Sequence, residues 1–96
     1  MTGKSDAIGK PPAEPDADAP LTDKEFERGR TAMLARRARA ATGLSQEAFA
    51  KRYAIPVTAL REWEQGRRVP DVAAQSYLRV IAQIPDVVAR ILRAAA

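Results

Sequence analysis

Between Leu44 and Gly66 the chain reads LSQEAFAKRYAIPVTALREWEQG, and the punctuation of this run leaves few ways to fold it. Ser45 is a good helix N-cap, and Gln46 to Tyr53 reads as a helix with Ala48, Phe49 and Tyr53 on its apolar side. A tight connection, Ala54-Ile55, follows. Pro56 has no backbone N–H to donate and suits the first turn of a new helix. Val57 to Gln65 forms that helix, and Gly66 stops it. Two short helices separated by about three residues must cross at close range. Small Ala54 permits the approach, and Ile55 is placed to plug the core beneath the turn.

The flanks are helical as well. Thr22 and Glu25 have capping-box spacing, and the chain then stays rich in Ala, Arg, Glu and Leu to Thr42, with Gly43 as its stop. Gly29 is a candidate break that would split this run into a short and a longer helix. Leu34, Ala38 and Ala41 recur at i, i+4 and i+7, which predicts one buried stripe. Pro70 and the N-cap Asp71 open a fourth helix, to about Gln83, with Leu78 and Ile81 inward. Pro85 and Asp86 open a fifth, whose apolar side is Val88, Ile91 and Leu92. No period-two strand pattern is visible. The expected fold is all-α, a five-helix domain over residues 21–96. Residues 1–20 carry four prolines, two glycines and Ile8 as the one branched aliphatic, so disorder in isolation is expected there.

Composition narrows the chemistry. The 96 residues contain no Cys and no His, which excludes disulfides, thiolate zinc sites, Cys nucleophiles and imidazole acid–base devices. No acid–base pair, metal cluster or phosphate loop is recognisable, so neither enzyme activity nor a metal or cofactor is expected. No apolar run approaches the ~20 residues of a membrane span, and the N-terminus lacks the apolar stretch of a signal peptide, so a cytoplasmic, nucleoid-associated location is expected. Charge is divided unevenly. Residues 1–27 hold three Lys against seven Asp/Glu, a net −4, whereas residues 28–96 hold thirteen Lys/Arg against five Asp/Glu, a net +8. A basic body with an acidic tail points to an anionic partner for the body and a separate role for the tail.

Two short helices joined by a tight turn are the helix-turn-helix arrangement, in which the second helix enters the DNA major groove. Here that helix is Val57–Gln65, within a motif spanning residues 45–66. The run LSQEAFAKRYAIPVTALREWEQGRRVP resembles the Cro/cI-like (XRE) family, in its L-S-Q-E opening and its W-E-x-G close at the family spacing. Over Tyr77–Ile81 and Pro85–Val88 the continuation RRVPDVAAQSYLRVIAQIPDVV looks like the end of helix-turn-helix antitoxins of bacterial type II toxin–antitoxin modules, the HigA, NadS and MqsA-like groups. The N-terminal zinc domain of the MqsA-like proteins has no counterpart in a chain without cysteine.

The resemblance implies roles. Base readout would fall to Val57, Thr58, Arg61 and Glu62, and phosphate contact to Gln46, Arg67, Arg68 and Lys51. Gln46 would stand at a helix N-terminus facing the DNA backbone. Thr58 can hydrogen-bond a base or give its methyl to thymine. Glu62 departs from the Gln, Arg or Lys common there: it would accept from a cytosine amino group, or pair with Arg61 or Lys51 and orient them. The Glu of W-E-x-G, here Glu64, would pair with Arg39 on the first helix. Trp63 reads as a packing residue.

The expected function is a sequence-specific repressor on palindromic double-stranded operator DNA, dimerising through the last helix, residues 85–94, by Val88, Ile91 and Leu92. The expected setting is an antitoxin that autoregulates its operon, with the tail and the helical segment 21–32 binding a toxin. The alternatives are a stand-alone regulator of phage or mobile-element type and a protein-interaction adaptor.

Overall fold

The computed structural model describes residues 20–95, so the acidic tail expected over residues 1–20 lies, apart from Pro20, outside the described residues. Five helices and no strand occur among the described residues: α1 Asp23–Ala40, α2 Gln46–Arg52, α3 Val57–Glu64, α4 Val72–Gln83 and α5 Pro85–Ala95. The all-α expectation holds.

Helix starts follow the side chains the sequence offers. Thr22 Oγ1 accepts from the Glu25 backbone N–H at 3.1 Å and Glu25 Oε1 accepts from the Thr22 N–H at 3.0 Å, a complete capping box. Ser45 and Asp71 cap α2 and α4 by accepting from Ala48 N at 3.1 Å and Ala74 N at 2.8 Å. Pro56 is the N-cap of α3, which starts at Val57 as expected, and supplies no side-chain cap.

Left-handed residues follow the ends of α1, α2 and α3, at Gly43, Ala54 and Gly66. Gly66, at φ +71°, closes α3: the Arg67 N–H reaches Glu62 O at 2.9 Å and the Gly66 N–H reaches Trp63 O at 3.0 Å, the paired bonds of a Schellman motif.

Two expectations for α1 fail. Gly29 does not break the helix, which runs unbroken from Asp23 to Ala40. An exposed glycine costs about 1 kcal/mol in a helix, less than the burial and capping on either side of it supply. The buried stripe is also rotated: Thr31, Ala32, Ala35 and Ala38 face inward, Leu34 is half-buried and Ala41 is exposed. Thr31 meets its own polar need by donating to Glu27 O at 2.7 Å. Small residues fill the stripe because α1 lies close against both α4 and α3.

The core gathers Phe49, Ala50 and Tyr53 from α2 and its C-cap, Ile55 from the turn, Ala59, Leu60 and Trp63 from α3, Leu78 and Ile81 from α4, and Val88 and Ala89 from α5. Ala50 takes the inward place predicted for Ala48, which is exposed. Both tyrosine hydroxyls are spent on backbone carbonyls. Tyr77 donates to Tyr53 O at 2.7 Å, and Tyr53 donates to Pro85 O at 2.9 Å, so α2, α4 and the start of α5 are tied in series. Burial pushes both phenols above their ordinary pKa.

Candidate nucleic-acid interface

The turn between α2 and α3 begins with a strained residue. Ala54 holds φ +57° and is the one non-glycine among the described residues in the left-handed region. It is exposed, so its task is not to let the helices approach but to reverse the chain; Ile55 behind it is buried, as expected. Beyond the turn, Ala59, Leu60, Trp63 and Glu64 of α3 point into the body. With a 3.6-residue period this leaves Val57, Thr58, Arg61 and Glu62 together on the outer side. Thr58 is exposed, Arg61 and Glu62 are half-exposed, and Val57 is partly packed on the core. The four positions predicted to read bases thus share one face.

What anchors that face is Glu64, whose side chain is 5% exposed. Arg39 Nε donates to its Oε2 at 2.7 Å and Arg39 Nη2 to its Oε1 at 2.9 Å, a bidentate pair from α1 to the end of α3. Arg39 Nη1 also donates to Leu44 O at 3.1 Å. The Gln46 amide adds a third donor to the carboxylate, Nε2 to Oε1 at 3.2 Å. Burial pushes the Glu64 carboxyl up, but the hydrogen bonds from Arg39 and Gln46 and the nearby positive charge outweigh it, and the net shift is downward. The Arg39 guanidinium is correspondingly raised, first by its hydrogen bonds to Glu64. One carboxylate therefore fixes the α1 end, the α2 start and the α3 end relative to one another. The Arg39–Glu64 pair is as expected; the third partner was not foreseen. Gln46, assigned to phosphate, spends one amide hydrogen inside the protein, because each oxygen of a buried carboxylate can accept more than the one bond Arg39 gives it.

The cations on the outer face are not all free. Arg61 Nη2 is paired with Glu47 Oε2 across the α2–α3 gap. Arg68 Nε is paired with Glu62 Oε1 at 3.1 Å. Glu62 thus serves neither Arg61 nor Lys51 but the loop arginine six residues on, because the Schellman turn at Gly66 folds that loop back over the end of α3. Glu47 was missed by sequence reasoning. At the second position of α2 it looks like an ordinary first-turn acid, and only the crossing of α2 and α3 brings it to Arg61. Its carboxyl lies below the ordinary Glu range, held there first by a hydrogen bond from its own backbone N–H and then by Arg61. Arg67 and Lys51 are exposed and have no ion-pair partner among the described residues. Trp63 is buried and packs, as expected.

Of the three residues assigned to a dimer contact, Val88 is 8% exposed and belongs to the protomer's own core. Leu92 is half-buried against that core, and Ile91 stands out at 59%. The apolar side of α5 is wider than one stripe. Its inner half closes the monomer, and only the outer half is available to a partner.

Among the described residues no group of acidic side chains is arranged to hold a metal ion, and no helix is long and apolar enough to cross a membrane. No curated protein and no solved structure matches the chain significantly. A family model described as helix-turn-helix matches residues 36–74, which takes in the end of α1, all of α2 and α3, and the start of α4. Residues 36–74 are thus similar to a helix-turn-helix, in keeping with the resemblance read from the sequence.

Proposed function

We propose that this chain is a sequence-specific transcriptional repressor that sets α3 into the major groove of an operator. The observation that carries this reading is the outer face of α3, where Val57, Thr58, Arg61 and Glu62 stand together, clamped from behind by Glu64 and flanked by Arg67, Arg68 and Lys51. Thr58 and Arg61 would meet base edges and the flanking cations phosphates. Selection from a random duplex pool, followed by binding of the selected duplex, tests it. Thr58→Ala is expected to lower affinity for the selected duplex with little effect on random DNA, a discrimination of about 1–3 kcal/mol per lost base contact. Arg67→Ala is expected to weaken both alike and flatten the salt dependence by about one unit of slope. Binding of selected and random DNA with equal affinity by the wild type would sink the reading.

The repressor acts as a two-fold dimer with its reading helices about 34 Å apart. The apolar residues that support this are Val80, Ile84, Val87 and Ile91. Val80 on α4, Ile84 at the α4–α5 junction and Ile91 on α5 are exposed at 45, 46 and 59%. Ile91→Asp is expected to convert a dimer to a monomer in analytical ultracentrifugation without loss of helix; a monomeric wild type would overturn the assignment.

An antitoxin setting is favoured by one further observation. The segment from Leu21 to Met33, which leads into α1 and runs past its middle, lies outside the matched residues and exposes Leu21, Phe26 and Met33 at 66, 58 and 60%. A DNA reader has no use for that surface, whereas a toxin-binding segment does. Co-expression with the product of the neighbouring gene, with and without residues 1–30, tests it. Growth rescue that needs those residues supports the antitoxin, and no toxicity from the neighbour leaves a stand-alone regulator.

A further inference from the structure

Four charged side chains at the α2–α3 face are already spent on one another. Glu47 holds Arg61 and Glu62 holds Arg68. The members of both pairs are well exposed: Arg61 41%, Glu47 70%, Arg68 57% and Glu62 38%. A phosphate can therefore reach either arginine, but it must either displace a carboxylate that the protein itself supplies or settle beside it. Arg39, the other arginine ion-paired near this face, is turned inward to the buried Glu64 and takes no part in that exchange.

We propose that Glu47 and Glu62 are specificity-determining residues that mask Arg61 and Arg68 from indiscriminate phosphate binding. The inference rests on the DNA-binding reading above and adds to it. Non-specific affinity for DNA comes from counterions released as Lys and Arg neutralise phosphates. An arginine already neutralised by a carboxylate releases fewer of them, because its negative partner must be detached or carried into the phosphate field. On a random duplex this lowers affinity at both positions. On the right sequence the direct base contacts of α3 offset the exchange. The two pairs are therefore a filter: they subtract most from a random duplex, where phosphate contact is all the arginines gain, and less from the correct one, where base contacts drive the exchange. Their placement differs in a useful way. Glu47 guards an arginine at the centre of the reading face, and Glu62 guards one in the loop at its edge.

The test uses the full chain and two duplexes, one of random sequence and one selected from a random pool by the wild type. Glu47→Gln and Glu62→Gln are each expected to raise affinity for the random duplex about twofold to fivefold, the worth of one exposed ion pair. Each is expected to steepen the dependence of log affinity on log salt by about 0.9 as one more arginine meets phosphate. Affinity for the selected duplex should rise less, so the ratio of selected to random binding falls. Glu27→Gln breaks a pair of similar exposure, with Arg30, outside the α2–α3 face and serves as the charge control. Melting temperatures establish that each variant is folded, and the two glutamates are separate elements, so each tests the idea without the other. Unchanged or weakened random binding, an equal gain on both duplexes, or an equal gain from Glu27→Gln overturns the inference while DNA binding stands. A wild type that binds neither duplex at about 50 mM salt, where phosphate contacts are strongest, overturns the DNA reading and this inference together.

Discussion

Glu64 shows how much one residue can organise. Its carboxylate is nearly dry, so it persists as an ion only because three donors face it. Removing either partner has unequal consequences. Arg39→Ala strands a buried charge and is expected to cost about 3 kcal/mol, the lower end for a broken buried pair because Arg39 itself is 29% exposed. Glu64→Gln leaves an amide that still accepts and an arginine that keeps Leu44 O, and is expected to cost about 1 kcal/mol. Chemical denaturation at neutral pH ranks the two. The folded Glu64 loses its proton more readily than the unfolded one, so the pair's contribution is full above the ordinary value of 4.5 and is lost as pH falls through the lower folded value. Acid titration of stability should therefore be steeper below pH 4.5 in the wild type than in Glu64→Gln. Ala54 is a second residue-scale case. A left-handed alanine costs about 1–2 kcal/mol, and the looser unfolded chain of a glycine returns part of that, so Ala54→Gly is expected to raise stability by about 0.5 kcal/mol. A lower melting temperature for Ala54→Gly would contradict the strain argument.

At the scale of the element, two glycines behave in opposite ways. Gly29 lies inside α1 with no neighbour within 4 Å of a built Cβ, so Gly29→Ala adds helix propensity at no steric cost and is expected to stabilise by about 0.5–1 kcal/mol. Gly66, at φ +71°, ends α3, and a Cβ there would meet Arg28 O only at an ordinary 3.9 Å. The penalty of Gly66→Ala is therefore conformational, about 1 kcal/mol, and falls on the loop that carries Arg67 and Arg68. Thermal melts of the two variants should shift in opposite directions.

For the whole molecule the tyrosines matter most. Tyr53 and Tyr77 link α2, α4 and α5 through main-chain carbonyls, so the helix-turn-helix and the helix that closes the core are one body. Tyr53→Phe removes the donor to Pro85 O without emptying the space and is expected to cost about 1 kcal/mol. Hydrogen exchange should show its effect concentrated at the start of α5. An effect confined to α2 would mean that the hydroxyl does not couple the two.

The sequence by itself determined the helix count, the caps at Thr22, Ser45 and Asp71, the stop at Gly66, the outward face of α3 and the Arg39–Glu64 brace, the last of these through a family resemblance. These are local rules or follow from a motif with fixed spacing. Only the tertiary structure decided the rest. Continuity through Gly29 depends on packing along α1, which local propensity does not contain. Whether Ala41 or Ala32 is inward depends on the angle at which α1 meets α3 and α4. Val88 was legible as apolar, but whether it faces its own core or a partner depends on how α5 docks. The partners of Glu62, Gln46 and Glu47 lie six, eighteen and fourteen residues away and become neighbours only when the turns at Ala54 and Gly66 close. Ion pairs between elements are set by the crossing of helices, and that crossing is a property of the packed core.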